Sequence, residues 1–150
     1  MAALKRKAFA YITWEHALLV FRHVDFPEAG IQVPAGSIEP GESAEAAALR
    51  ETFEETGLAD FMLVAPLGEQ VYDMTPFGKD EIHHRAFFHL RCAEAPPRTW
   101  RHMEQARSDG GEPIAFEFFW APLPGGVPPL IAGHNALLPA LLRALGLPPL

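Results

Sequence analysis

The spacing of apolar residues along the chain predicts a run of strands, a helix, further strands and a last helix. Residues 7–13 and 17–24 are dense in Phe, Tyr, Ile and Val, and the three residues between them predict a hairpin. Apolar and polar residues alternate over 82–91 and again over 114–120, which is the period of a strand with two different faces. Shorter extended segments are predicted at residues 31–33, 61–64 and 69–74.

Two segments have the composition and period of helices. Residues 44–56 contain Ala, Leu, Glu and Arg without Gly or Pro; Ser43 can cap the start, and Gly57 can end the helix in a left-handed conformation. Residues 134–145 carry apolar side chains at helical spacing, with Pro139 in the first turn. This order of elements predicts an α/β protein in which helices cover the faces of a mixed sheet.

Three carboxylates share one side of the first predicted helix. Glu51, Glu54 and Glu55 stand at positions i, i+3 and i+4, so their side chains are neighbours. Like charges at this spacing destabilise a helix by about 0.2–0.5 kcal/mol per pair, and a divalent cation would relieve that repulsion. Hard cations such as Mg²⁺ take oxygen ligands and often share them with substrate phosphates. The alternative is a solvated acidic helix face.

These carboxylates belong to a frame of fixed residues, Gly36-x5-Glu42-x7-Arg50-Glu51-x2-Glu54-Glu55-x-Gly57-Leu58. The frame closely resembles the box of the Nudix hydrolases, G-x5-E-x7-R-E-U-x-E-E-x-G-U, where U is a bulky aliphatic residue. The one departure is Thr52 at the first U position, where we expect slightly looser packing rather than lost chemistry. The resemblance implies the α/β/α sandwich of the Nudix fold, a mixed sheet with the box helix and a C-terminal helix. It also implies hydrolysis of a pyrophosphate bond with Mg²⁺, or with Mn²⁺ in its place.

The resemblance also assigns roles to residues of the box. The expected metal ligands are Glu51, Glu54, Glu55 and the carbonyl of Gly36. A glycine lets the backbone approach an ion closely, and whether a glutamate instead takes a proton from water stays open. Arg50 and Glu42 are expected to pair and to brace the helix, a support whose loss commonly costs about 10–100-fold in metal affinity or activity. The alternative for this pair is a surface ion pair worth about 0–1 kcal/mol.

A carboxylate from the C-terminal half is expected to complete the site, as a further metal ligand or as a base. Glu117 is preferred because it lies in a predicted strand whose other face is apolar, so its side chain is expected to face a cleft. Glu112 and Glu104 come next. The alternative is that all three are solvated.

Contacts to the substrate are predicted in the long polar segment 93–113, expected to be either a functional loop or a plain surface connection. The segment contains Arg98, Trp100, Arg101, His102 and Arg107, of which Arg98, Trp100 and Arg101 are the candidates for substrate binding. In the functional version the arginines bind phosphates and the tryptophan stacks on a base. Tyr72 is a further candidate, although it is a poor match to the tyrosine of dinucleoside-polyphosphate hydrolases. The histidines at 83, 84 and 89 are expected to be ordinary strand residues rather than zinc ligands, because strand neighbours point to opposite faces.

Composition excludes several classes of protein. A chain of 150 residues with 49% apolar content suits one domain, 1–150, around one core. The net charge of −7 argues against general nucleic-acid binding. The lone Cys92 excludes an internal disulfide and suits a reducing compartment. No apolar run is long enough to span a membrane, so the cytoplasm is the expected location. The expected partner is a small nucleotide diphosphate, and a homodimer stays open.

The substrate class is suggested by residues 34–42, PAGSIEPGE, which are similar to the PAG-x-IE-PGE form of many ADP-sugar hydrolases. We therefore expect, by a slight preference, a nucleoside diphosphate linked to a sugar, with nucleoside triphosphates next. Two other functions stay open: a catalytically idle module that senses a nucleotide or nucleotide sugar, and an RNA 5′-end pyrophosphohydrolase. Three repelling carboxylates kept together favour the enzyme over the sensor.

Overall fold

The computed structural model of the chain describes residues 2–104 and 112–150. The strands are β1 (Ala3–Trp14), β2 (Ala17–His23), β3 (Ala35–Ser37), β4 (Phe61–Asp73), β5 (Glu81–Cys92), β6 (Thr99–Glu104) and β7 (Ile114–Pro122), and the helices are α1 (Ala44–Thr56) and α2 (Leu138–Leu145). Single 3-10 turns lie at Pro27–Ala29 and Thr75–Phe77. In this part of the chain, neither α1 nor α2 is long and apolar enough to cross a membrane.

The strands form a mixed sheet, as predicted, in the order β4-β5-β1-β2-β7-β6. β1 and β5 are parallel, with partners from Ala3↔Glu81 to Thr13↔Arg91, and the other named strand pairs are antiparallel. β1 and β2 pair only beside their turn, because β3 occupies the edge of β1 at Lys7–Phe9. This splitting of the sheet brings β3, which carries Gly36, against the middle of β1.

Helices cover the two faces of this sheet, which confirms the predicted α/β/α sandwich. Alternation along β1 sends Ala8, Ala10 and Ile12 into the core beneath α1, and sends Phe9 and Tyr11 into the core that contains α2 residues. Both faces are therefore buried, which explains why residues 8–12 of β1 and 18–21 of β2 are apolar without interruption.

The predicted limits of α1 are confirmed. The Ser43 hydroxyl accepts a hydrogen bond from the backbone N–H of Ala46 at 3.1 Å, an N-cap worth about 1 kcal/mol. Gly57 ends the helix at φ 75°, and its N–H donates to the carbonyl of Phe53. The last helix begins later than predicted, at Leu138 rather than at 134, because the ring and carbonyl of His134 are held by Val33 and Tyr11.

Two other segments differ from expectation. Residues 61–73 form one strand, in which β-bulges near Val64 and Leu67 absorb the proline and glycine that suggested a break. Residues 99–104, expected to belong to a loop, form β6 and pair with β7 from Thr99↔Phe119 to Glu104↔Ile114. The segment is polar because β6 is an edge strand with one solvated face.

Candidate active site

The centre of the candidate site is a group of three carboxylates contributed by α1 and β6. Ligand atoms of Glu51, Glu54 and Glu104 all lie within 4.8 Å of one another, and all three residues are half-buried. They line a cleft of about 380 Å³ together with Lys7, Ala35, Gly36, Ser37, Glu39 and Arg50. Three acidic oxygens converging at this separation are suited to hold a divalent cation.

Glu104 reaches this group because β6 alternates. Trp100, His102 and Glu104 occupy one side of the strand, and that side faces α1. The indole N–H of Trp100 donates to the carbonyl of Thr56 at 2.8 Å, and Nε2 of His102 donates to the carbonyl of Glu54 at 3.0 Å. These two contacts fix the register of β6 against the last turn of α1 and place the next residue on that side beside Glu51 and Glu54.

Gly36 is in direct contact with Glu51. A Cβ atom at position 36 would lie 1.9 Å from Cδ of Glu51, far inside van der Waals contact. The glycine on β3 therefore lets the Glu51 carboxylate rest against the backbone. Any side chain at 36 would displace that carboxylate.

Arg50 organises the carboxylates of the cleft. Its Nε and Nη2 donate to both oxygens of Glu42 at 2.8 and 2.9 Å, the bidentate pairing expected from the resemblance. Nη1 donates to Glu51 at 2.8 Å and reaches Glu54 at 3.3 Å, while Nη2 also donates to the carbonyl of Ser37 at 2.9 Å. The fork lowers the pKa of Glu42 to about 2. One guanidinium thus ties the loop before α1 to two residues of the carboxylate group.

Glu55 occupies a different position from the other two box glutamates. Its side chain is buried, and its Oε1 accepts a hydrogen bond from the N–H of Ala35 at 2.9 Å. Burial, reinforced by the nearby charges of Glu104 and Glu51, raises the pKa of Glu55 well above its usual value. Burial also raises the pKa of Glu51 to about 7, despite the opposing effect of Arg50. A bound cation would favour the ionised form of both groups.

Glu117, the preferred outside carboxylate, does not join this group. It lies on the face of β7 opposite Phe116 and Phe118, which pack in the core with α1, and it pairs with Arg22 and Arg101, both at 3.3 Å. Glu104, which the sequence ranked below Glu117, lies beside Glu51 and Glu54 instead, because alternate side chains of β6 face α1 and Glu104 is one of them. Glu112 is exposed.

The residues of 93–113 that were predicted to contact the substrate lie away from the carboxylate cleft or have other partners. Trp100 cannot offer a free face to a base, since its ring stacks on Phe118 at 5.1 Å and packs in the core. Arg101 pairs with Glu117 on the other face of β6. Arg98 lines a separate cavity between Trp14 and Trp120, and Arg107 lies outside the described residues.

The remaining predictions concern Tyr72 and the histidines. Tyr72 stacks on the guanidinium of Arg85, 4.4 Å from ring centroid to Cζ, beside a second cavity. His83 and His89 are strand residues bonded to Glu81 and Thr13. Within the described residues, the one cluster of side chains whose geometry could hold a metal ion consists of the three glutamates and contains no histidine.

Sequence reasoning missed Lys7, which lines the carboxylate cleft, and gave His102 no role of its own. Lys7 opens the predicted strand 7–13, and a lysine at a strand end gives no indication of a site. The pattern TWRHME could have revealed β6, because its alternate residues place a tryptophan, a histidine and a glutamate on one face.

Comparison with known proteins identifies the family. Residues 3–128 match the family described as NUDIX domain. The chain belongs to the Nudix family. The structure of an ADP-ribose pyrophosphatase from Streptococcus suis is similar, with a TM-score of 0.60, 23% identity and coverage of 94% of this chain and 91% of that one. A MutT Nudix hydrolase from Burkholderia pseudomallei has a TM-score of 0.59 and 19% identity, covering 90% of this chain and 95% of that one.

A curated relative matches part of this Nudix chain. It is an RNA pyrophosphohydrolase from Dinoroseobacter shibae, 45% identical over 56 residues, which are 36% of this chain and 35% of that protein. The match therefore spans about a third of the relative's length. The structural likenesses, below 25% identity, confirm the fold and leave the substrate to chemical argument.

Proposed function

We propose that this Nudix protein is a divalent-metal-dependent hydrolase that cleaves the pyrophosphate bond of a nucleoside diphosphate linked to a second group. The observation that carries the proposal is the convergence of Glu51, Glu54 and Glu104 within 4.8 Å beside the backbone of Gly36. A binding module that only senses a nucleotide has no need to keep three repelling carboxylates together.

The donor set consists of hard oxygens, which suits Mg²⁺ or Mn²⁺. Glu51, Glu54 and Glu104 would hold the metal, and the carbonyl of Gly36 is proposed as a further ligand. When bound, a divalent cation screens phosphate charge and lowers the pKa of an attacking water. Arg50 fixes Glu51 through its 2.8 Å hydrogen bond. The Ala35 N–H fixes Glu55 behind them, where it can serve as a ligand or accept a proton from water.

The preferred substrate is a nucleotide sugar, supported by the PAGSIEPGE segment and by the similar fold of an ADP-ribose pyrophosphatase. A nucleoside triphosphate comes next. An RNA 5′ end is a second candidate because the 45% identical segment comes from an RNA pyrophosphohydrolase. The net charge of −7 disfavours RNA, whose backbone binds to basic surfaces.

A substrate panel with variant enzymes tests the proposal. ADP-ribose, UDP-glucose, dATP and a 5′-triphosphorylated RNA are incubated with Mg²⁺, and the products are separated by chromatography. Glu54→Gln and Glu104→Gln should each lower kcat by more than about 100-fold, beyond the 10–100-fold typical of supporting residues. Glu117→Gln is the matched control, because its carboxylate pairs with arginines on the other face of the sheet.

Two results would contradict the assignment. One is wild-type turnover by Glu54→Gln at saturating Mg²⁺. The other is a fall in kcat for Glu117→Gln equal to that for Glu104→Gln, which would mean that Glu117 on β7 also contributes to catalysis. Release of products from none of the four substrates would instead favour the sensing module.

A further inference from the structure

A second cavity opens directly beside the carboxylate cleft. It has a volume of about 480 Å³ and shares Lys7, Ala35 and Gly36 with the cleft. Its far wall comes from β5 and from the segment before α2, including Arg85, Ile131 and His134. A volume of this order accommodates one small-molecule moiety. A diphosphate held at Glu51 and Glu54 would therefore extend one of its two substituents into this cavity.

The walls of the cavity carry an excess of positive charge. Lys7, Lys79 and Arg85 line it, and the one carboxylate among its lining residues is the exposed Glu28. Lys7 and Arg85 are direct partners in the parallel pairing of β1 with β5. Like charges placed opposite each other on a sheet are destabilising. Burial and the neighbouring Lys79 lower the pKa of Lys7, whereas Glu81 and Glu51 raise it, so nearby carboxylates offset part of the repulsion among the cations.

Arg85 is the most constrained of these cations. It is 2% exposed, and its guanidinium lies between the rings of Phe9 and Tyr72, 4.7 and 4.4 Å from their centroids. Its Nη atoms contact Gln70, the carbonyl of Ala132, the sulfur of Met74 and Nδ1 of His83. Within the described residues none of these partners is a carboxylate, and Nε has no acceptor at all.

Such a buried cation is costly for the fold. Transferring a charge from water to the protein interior is strongly unfavourable unless a counter-charge accompanies it. Ring stacking offsets only part of that cost, since a cation–π contact is much weaker than the lost hydration of a full charge. Arg85 maintains a positive potential at the cavity wall, while Lys7 and the exposed Lys79 offer donors to a ligand.

We infer that this cavity binds an anionic group which the substrate carries beyond its scissile diphosphate, such as the phosphate of a phosphorylated sugar. The inference rests on the proposed function, because the diphosphate must sit in the adjoining cleft. Glu28 in the lining and the nearby Glu81 balance part of the positive charge of Lys7, Lys79 and Arg85. An uncharged sugar or a base in the cavity would add no further counter-charge. A phosphate there forms charge-assisted hydrogen bonds with the lysines.

Binding of a substrate fragment tests the inference without catalysis. Ribose 5-phosphate and ribose are titrated calorimetrically into the full chain in the presence of EDTA, so that no metal links the fragment to the carboxylates. Ribose 5-phosphate should bind, ribose should not bind measurably, and the affinity for the phosphate should fall as salt is raised. Lys79→Met should weaken it by about 10-fold, the loss of one charge-assisted hydrogen bond.

Arg91→Met is the matched control. It removes one exposed positive charge from β5, roughly 20 Å from Arg85 along the strand at about 3.3 Å per residue, and should leave the affinity unchanged. Equal binding of ribose and ribose 5-phosphate would overturn the inference. So would an absence of ribose 5-phosphate binding, or an equal loss in Lys79→Met and Arg91→Met.

Hydrolysis is a separate readout on the same preparations. Glu54→Gln should lose turnover of the substrate panel and keep ribose 5-phosphate binding, because its change lies in the metal cleft. Retained binding refutes the proposed function if the wild type hydrolyses neither the panel nor a nucleoside diphosphate linked to a phosphorylated sugar. Hydrolysis without ribose 5-phosphate binding refutes only the anionic cavity.

Discussion

Thr52 lies on the buried side of α1, at the position where the family's box has a bulky aliphatic residue. It is 0% exposed, and its Oγ1 has no hydrogen-bond partner within the described residues. A buried hydroxyl without a partner costs the fold about 1–3 kcal/mol. Val has nearly the same shape and a similar helix propensity. Thr52→Val should therefore remove a polar group that the fold does not satisfy.

We expect Thr52→Val to raise the free energy of unfolding by about 1–2 kcal/mol, from the desolvation cost that it removes. In a chain of 150 residues, each kcal/mol shifts Tm by about 2–4 °C, so Tm should rise by roughly 2–8 °C. The measurement is urea unfolding followed by circular dichroism, with EDTA present so that metal binding does not contribute. The slope m should stay constant, since the variant exposes the same surface on unfolding.

Thr56→Val is the matched control, one helical turn away on the same buried side. The Thr56 hydroxyl donates to the carbonyl of Thr52 at 2.6 Å and accepts from the N–H of Leu58 at 3.1 Å. Losing both bonds should lower stability by about 1–3 kcal/mol. The reasoning is refuted if Thr52→Val is no more stable than the wild type, or if its free energy of unfolding is lowered as in Thr56→Val.

Two further predictions concern Arg50 and His134. Arg50→Lys should raise the Mg²⁺ concentration for half-maximal hydrolysis and lower kcat by about 10–100-fold, because a lysine ammonium cannot form the bidentate pair that Arg50 makes with Glu42. In NMR titrations of this variant the pKa of Glu42 should rise from about 2. An unchanged pKa and an unchanged rate would contradict this prediction. Burial lowers the pKa of His134 to about 3 from its usual 6.5. Below pH 6.5 the unfolded chain therefore binds a proton that the folded chain does not, and this residue's contribution to stability falls by up to about 1.4 kcal/mol per pH unit as pH drops towards 3. Between pH 6.5 and 5, the free energy of unfolding measured by urea titration should fall less steeply for His134→Gln than for the wild type. Equal slopes for the two proteins would exclude the effect.

The sequence by itself determined the features that depend on near neighbours in the chain. The limits of α1 follow from Ser43 and Gly57, whose side-chain and backbone preferences act within one helical turn. The proximity of Glu51 and Glu54 follows from helical spacing, and the pairing of Arg50 with Glu42 from the box frame. The structure contains each of these features, and each depends only on residues that are close together in the chain.

Only the tertiary structure decided which distant side chains join them. Successive residues of a helix are about 100° apart at 3.6 residues per turn, so Glu54 and Glu55 diverge, and the packing of α1 sends Glu55 to Ala35. Strand alternation tells which residues share a face but not which face meets α1, and so it could not separate Glu104 from Glu117. The register of each strand is set by its partners across the sheet, contacts that join residues far apart in sequence. For the same reason the pairing of Lys7 with Arg85, which gives the second cavity its charge, could not be read from either segment alone.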